Sequence, residues 1–296
     1  METKEITMQK RTKLLGAAGV AAAMLVGAPA SAGTLTDFAG DVFTSYGSSD
    51  LDKLTDNINS TTFGGTVAAP LSDIPNMNVQ AGGAYTHSWA GDTSQANWDF
   101  NGAVFWAGPD SRLGINVNYT TYTHSGNDTG FGVFGEMYFG MITGGLKAGW
   151  LQSGGSGGCQ LSCPAGATRG PLLPSGGSGG GYLGANATVY AMPNLAITGV
   201  FDYQNQNHGF ANVPIGRIGV HHNTYLIEGE YLVDQEWAPA VFANIGFTQL
   251  GTSSQGGTTA YQDVTTWHIG LRWYTGGGTL VDKHRNGTLR SVTTGR

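Results

Sequence analysis

Apolar and polar side chains alternate along most of the chain, and residues 112–141 show the pattern most clearly. The apolar residues of this stretch, among them Leu113, Ile115, Val117 and Phe131, are spaced two apart on both sides of a short polar turn. Successive side chains of a β-strand point to opposite faces. The stretch therefore predicts a hairpin of two strands, each with one apolar face and one polar face.

Period-two segments of this kind recur after residue 32, whereas helical periodicity is almost absent. They predict twelve strands at 38–48, 58–70, 76–88, 96–107, 112–124, 129–141, 144–153, 181–192, 195–206, 222–233, 238–250 and 264–276. Each segment has 10 to 13 residues, which is long enough to cross a bilayer when the strand is tilted.

The connections between these segments alternate between short and long. The sequences AGPDS, ITG, MPN and DQEWA are short, whereas the connection at 153–181 is the longest of all. Short turns on one side and long loops on the other are typical of an outer-membrane barrel, whose short turns are periplasmic. An even strand number requires the segment 38–48, which has the weakest pattern. A ten-strand barrel is the alternative.

Composition indicates which face of the strands meets water. Only 11% of the 296 residues are charged, whereas soluble domains carry roughly a quarter. We therefore expect an all-β fold, a closed antiparallel transmembrane β-barrel with its apolar face toward lipid. The alternative is a soluble β-sandwich or lipocalin-like barrel with that face inside.

Aromatic residues are placed as expected for two interfacial girdles. One predicted girdle, near the short turns, contains Trp106, Trp237, Trp273 and Tyr274, and the other contains Tyr46, Tyr85, Trp98, Trp150 and Trp267.

The N-terminus predicts export. Basic residues precede an apolar stretch that ends in APASA, which is typical of a secretory signal peptide cleaved after Ala32. An N-terminal membrane anchor is the alternative. The predicted organisation is a signal peptide at 1–32, a barrel at 33–276 and a periplasmic tail at 277–296. The mature chain would carry 10 basic and 18 acidic residues, a balance that argues against nucleic acid as a partner.

The chain resembles porin-like outer-membrane β-barrel proteins of Gram-negative bacteria over residues 33–296. The resemblance depends on the hairpin architecture, on MPNLAITGVFDY with its tight turn, and on the last strand, TTWHIGLRWYT. It implies passage of small hydrophilic solutes or ions across the outer membrane. The chain departs from the usual pattern because it continues past residue 276 with TLVDKHRNGTLRS instead of stopping at a terminal aromatic residue.

The polar faces of the predicted strands should line the lumen. The charged residues on these faces are Asp41, Asp99, Arg112, Glu136, Lys147, Asp202, Glu228, Glu230 and Arg272, together with His268. Acids outnumber bases, which favours cations, and Glu228 and Glu230 are the first candidates for that field. The alternative is that the bases pair with the acids and close the lumen, which would leave a non-conducting structural barrel.

The longest loop, at 153–181, contains Cys159 and Cys163 between two SGGSGG stretches. In an exported protein such a pair predicts a small disulfide. Glycine- and serine-rich chain is flexible, so the loop is either a gate at the barrel mouth or a surface loop.

Histidines gather near the predicted long-loop ends: His87, His124, His208, His221 and His222. We predict ordinary polar rim residues and no metal or cofactor, and a metal site at the rim is the alternative. His222 and Thr224 share a strand face, as do the histidine and serine of an outer-membrane phospholipase. No orienting third residue is identifiable, so we predict no enzyme activity.

The C-terminal tail is basic, with five cationic or histidine side chains and a single acid, Asp282. We expect an unstructured end, with contact to anionic lipid head groups or the cell wall as the alternative. The sequence leaves the oligomeric state open.

Overall fold

Twelve antiparallel strands form a closed barrel in the computed structural model of the chain. The structure describes residues 38–51, 57–71, 74–123, 126–154, 178–208, 218–235, 237–253 and 259–289. The strands are β1 (Ala39–Leu51), β2 (Ile58–Pro70), β3 (Met77–Ala90), β4 (Thr93–Ala107), β5 (Ser111–Tyr122), β6 (Gly126–Phe139), β7 (Ile142–Gly154), β8 (Ser178–Met192), β9 (Leu195–His208), β10 (Ile218–Leu232), β11 (Pro239–Ser253) and β12 (Thr259–Tyr274). One short helix, α1 (Leu280–Asn286), follows the last strand.

The first and last strands close the barrel. Thr44 on β1 pairs with Leu271 on β12 and, on its other side, with Phe63 on β2. Each strand thus has two neighbours, and no edge is left with unpaired backbone groups, as a structure in hydrocarbon requires. The twelve-strand prediction is confirmed, and the ten-strand alternative is wrong because β1 is a full member of the barrel.

The apolar face of the strands is the outer face. Leu113, Ile115 and Phe131 are 65%, 60% and 60% exposed, whereas Arg112 and Asn116 of the same hairpin are buried. Such a band of exposed apolar side chains suits contact with lipid. The soluble alternative with an apolar interior is therefore wrong. Among the described residues, no helix is both long and apolar enough to span a bilayer.

Two ends of the barrel can be distinguished by their connections. The short-turn end contains the connections at 71–76, 108–110, 140–141, 193–194 and 233–238 and the start of α1. The long-loop end is the opposite end of the barrel, where β7 and β9 end and where β8 and β10 begin. At this end β3 and β4 run further than expected and meet in a two-residue turn at 91–92. Gly91 has a φ of 53°, and glycine at the first turn position suits a tight hairpin.

Most of the predicted girdle residues described by the structure face outward. Trp106 and Trp273 are exposed near the short turns, and Tyr46 packs on Trp267 near the long loops with ring centroids 5.7 Å apart. Tyr274 is an exception, because it is buried and faces the interior. Its assignment to the short-turn girdle was wrong.

The predicted signal peptide at 1–32 and the proposed disulfide between Cys159 and Cys163 lie outside the described residues, as does most of the loop at 153–181. The predicted histidine at the rim, His124, lies outside them too.

Candidate functional site

A cavity inside the barrel occupies its long-loop half. It has a volume of about 430 Å³, and we call it the vestibule. Its wall consists largely of hydroxyl, amide and charged side chains, among them Thr62, Asn97, Asp99, Asn118, Thr120, Asp128, Lys147, Thr188, Asp202, Gln204 and His268. The polar faces of β2–β9 and β12 thus surround a space that can hold water and small hydrophilic molecules.

Acids outnumber bases in the vestibule wall. Asp99, Asp128 and Asp202 face a single lysine, Lys147. Lys147 Nζ lies 2.9 Å from an oxygen of Asp202, and Asp99 accepts hydrogen bonds from Thr120 Oγ1 at 2.6 Å and from Asn97. Because Lys147 pairs with Asp202, the other two carboxylates, Asp99 and Asp128, give the vestibule wall a net negative charge.

The interior narrows toward the short-turn end. A second cavity of about 60 Å³ shares Thr62, Asp99 and His268 with the vestibule wall and is bounded below by Thr288 and Leu289. A space of this size holds only a few water molecules. The passage therefore becomes constricted where the C-terminal segment meets the barrel wall.

A buried ion pair lies in the short-turn half of the barrel, near the pairing of β1 with β12. We call Arg272, Glu230 and Asp41 the seam cluster. Arg272 Nη1 donates to both carboxylate oxygens of Glu230, at 3.1 and 3.0 Å, and Arg272 Nε lies 4.0 Å from Asp41. The guanidinium also lies over the rings of Phe242 and Phe43, at 4.8 and 5.6 Å from their centroids. Since a buried cation needs such partners, the cluster links β1, β10 and β12 where the barrel closes.

The residues predicted to line the lumen thus divide into two groups. Asp99, Lys147 and Asp202 lie in the vestibule. Glu228 and Glu230 are 1% and 2% exposed, so they do not present an open field to the vestibule. Arg112 and Glu136 are also buried and stand opposite each other on β5 and β6, while Arg272 and Asp41 belong to the seam cluster. Arg272 pairs with Glu230, and Lys147 pairs with Asp202, as expected for the alternative in which bases neutralise the acids of the lumen.

The C-terminal segment turns back into the barrel after β12. Gly276 and Gly278 have φ values of 71° and 105°, a region that favours glycine. Thr279 then caps α1, since its hydroxyl accepts from the Asp282 amide while the Asp282 carboxylate accepts from the Thr279 amide. We call residues 279–289 the plug segment. The expectation that the tail is unstructured was wrong for these residues.

Two leucines anchor the plug segment in the short-turn half of the barrel. Leu280, which is 0% exposed, packs in a cluster with Tyr190, Leu232 and Tyr274. Leu289, which is 1% exposed, packs in a second cluster with the inward-facing Phe105 and Phe134, and with Ala103. Aromatic side chains that point into the barrel thus form two apolar pockets that hold the tail.

Polar contacts hold the plug segment to strands on several sides of the barrel. Leu289 N donates to Gln80 Oε1 at 2.6 Å, and Gln80 Nε2 donates to Leu289 O at 3.2 Å. Thr288 donates to Asp41, and Arg112 donates to the Arg285 carbonyl. These contacts reach β1, β3 and β5.

The basic residues of α1 lie against backbone carbonyls and aromatic rings. Arg285 Nη2 donates to Gly140 O at 2.6 Å and to Ile142 O at 3.0 Å, and its guanidinium lies over the Tyr138 and Tyr190 rings. Lys283 Nζ donates to Thr275 O at 2.6 Å and to Gly276 O. Burial lowers the pKa of Lys283, an effect that the nearby Asp282 opposes.

Sequence reasoning missed the plug segment, although three signals point to it. Thr279 and Asp282 have the spacing of a capping box, a run of glycines precedes them, and leucines stand at 280 and 289. Phe105 and Phe134 are a further signal, because each is apolar at a position whose strand parity points inward.

His222 and Thr224, the pair compared with the phospholipase, face the lumen and not lipid. Thr224 stands opposite Asp202 in the β9–β10 register, so it points inward, and His222 lies two residues away on the same face. Thr224 Oγ1 is 3.1 Å from Thr248 Oγ1. Among the described residues, no group of three histidine, cysteine or acidic side chains is placed to hold a metal ion.

Comparisons with known proteins return outer-membrane barrels. An outer-membrane channel from Pseudomonas putida F1 aligns with a TM-score of 0.48 and 10% identity over 82% of this chain and 96% of its own. The NanC porin (0.47, 8%) and the KdgM porin in complex with disordered oligogalacturonate (0.45, 10%) each align over 78% of this chain and 98% of theirs. No protein-family model and no curated relative match the chain. The strand pairing of this chain by itself shows a closed barrel of twelve antiparallel strands.

Proposed function

We propose that the protein is an outer-membrane channel that admits small hydrophilic solutes and ions through the barrel interior, with a weak preference for cations. The outward apolar band supports the location, because a closed barrel with such a surface is stable in a bilayer. The observation that carries the function is the polar vestibule of about 430 Å³, which has more carboxylates than cationic groups in its wall.

The cation preference follows from the position of the charges. Asp99 and Asp128 line the vestibule. Lys147 is the one lysine or arginine among the described residues of the vestibule wall, and it pairs with Asp202. Fixed carboxylates in a narrow aqueous space raise the local cation concentration. Glu228 and Glu230 contribute less to this field, since both are buried and Glu230 pairs with Arg272.

Planar-bilayer recordings under a potassium chloride gradient test the proposal, on the full chain and on a chain that ends at Gly278. We expect discrete current steps and a cation-selective reversal potential. Asp99→Asn combined with Asp128→Asn should shift the reversal potential toward the anion side. Asp92→Asn, an exposed carboxylate in the 91–92 turn, is the matched control and should leave it unchanged. Silent bilayers for both chains would contradict a channel.

A second candidate function is a non-conducting structural barrel that contacts other surface components. The buried seam cluster and the plug segment favour it, since both reduce the free space in the short-turn half. The same recordings separate the two candidates.

A further inference from the structure

We propose that the plug segment is a displaceable gate, whose departure opens the short-turn end of the barrel and exposes a second, acidic constriction. This proposal rests on the proposed channel function. The vestibule and the short-turn opening lie on either side of the plug segment, because Thr288 and Leu289 form the floor of the narrow cavity that continues from the vestibule.

The plug segment is attached in a way that permits release without damage to the barrel. Every strand pairs with two strand neighbours, so the barrel closes without using the segment. Among the described residues, one backbone–backbone hydrogen bond joins the plug segment to the barrel, from Leu280 N to Pro193 O at 2.9 Å. The contacts described above for Thr288, Leu289 and the Arg285 carbonyl each involve a side chain. Gly276 and Gly278 at its base provide a flexible connection to β12.

Part of the surface that the plug segment covers is polar and charged, and this part is suited to water once the segment leaves. The inward residues of the short-turn half include four acids and two bases. The acids are Asp41, Glu136, Glu228 and Glu230, and the bases are Arg112 and Arg272. The plug segment supplies polar partners to several of them. Thr288 donates to Asp41, His284 lies 3.4 Å from Glu230, and the Arg285 carbonyl accepts from Arg112.

The exchange of these partners for water has a functional consequence. Four acids against two bases leave a negative surplus in the short-turn half of the barrel, and fixed charge along a pore influences its ion selectivity. We therefore expect the open state to prefer cations more strongly than the vestibule alone would.

A reversible disulfide tests the gate directly. Asp41 and Thr288 are in side-chain contact, so Asp41→Cys with Thr288→Cys should link the plug segment to β1 when oxidised. The background carries Cys159→Ser and Cys163→Ser to remove competing thiols. We expect the oxidised protein to lose its current and a reducing agent to restore it, whereas each single cysteine variant should respond to neither treatment. The chain that ends at Gly278 should conduct continuously and with greater cation preference.

The outcomes separate the gate from the channel. If the oxidised, cross-linked protein conducts as well as the reduced one, the path bypasses the plug segment, so the gate is overturned while the channel stands. If the shortened chain inserts as a folded barrel and remains silent, the proposed channel fails as well. If the shortened chain does not fold, the double-cysteine protein alone tests the gate, because the plug segment is present in both its oxidised and its reduced form.

Discussion

Leu289 should control how often the plug segment leaves its site. Truncation of a buried leucine to alanine costs about 2–5 kcal/mol in well-packed surroundings, and Leu289 is enclosed by Phe105, Phe134 and Ala103. Because the barrel closes without the segment, this cost falls on the plugged state. At about 2 kcal/mol the ratio of plugged to released protein should fall about 30-fold in Leu289→Ala.

Amide hydrogen exchange followed by mass spectrometry measures this ratio. The Leu289 amide is bonded to Gln80, so its exchange reports release of the plug segment. We expect peptides that cover 279–289 to exchange about 30-fold faster in Leu289→Ala, while peptides from the strands keep their rates. Leu146→Ala, which changes a lipid-facing leucine, is the matched control and should alter neither.

Two results would refute this reasoning. Unchanged exchange in 279–289 would mean that Leu289 contributes little to docking. Equal acceleration in the plug segment and in the strands would mean that the segment and the barrel unfold together, so that release without unfolding does not occur.

Three further predictions concern the barrel wall and the base of the plug segment. Arg272→Met should lower the free energy of unfolding, measured by urea titration in lipid vesicles, by about 3–5 kcal/mol, because Glu230 is left buried without its partner. Lys147→Met changes a partly exposed pair, so in the same titration it should lower the free energy of unfolding by under about 1 kcal/mol. Ile115→Arg should destabilise the inserted barrel by up to about 2–4 kcal/mol, and a neutral result would contradict contact with lipid. Gly278→Ala should weaken docking by about 1 kcal/mol or more, because φ at this position is 105°, and faster exchange of 279–289 would show it.

The strands and their orientation were predictable because both arise from a local rule. A strand with one lipid face must alternate, so Leu113, Ile115 and Val117 identify the outer face and Arg112 and Asn116 identify the inner face without knowledge of the neighbours. The weak first strand was recovered by parity, and its pairing with β12 confirms it.

The interior was less predictable because its contacts cross the lumen. Arg272 and Glu230 stand on β12 and β10, which are not adjacent, so period-two alternation assigns both to the inside without showing that they pair. The plug segment was missed for a related reason. A helix of seven residues is too short to be stable alone. The plug segment is stabilised here because Leu280 and Leu289 are buried in apolar pockets formed by strands that are distant in the sequence.

The most direct test of a channel through the barrel interior is cysteine accessibility during current recording. Thr188 faces the vestibule, whereas Val189, the next residue on β8, is exposed on the outer face. In the Cys159→Ser, Cys163→Ser background, a bulky charged thiol reagent should reduce the current of Thr188→Cys and leave that of Val189→Cys unchanged. Equal sensitivity of the two variants, or a block at Val189→Cys alone, would contradict a path through the barrel.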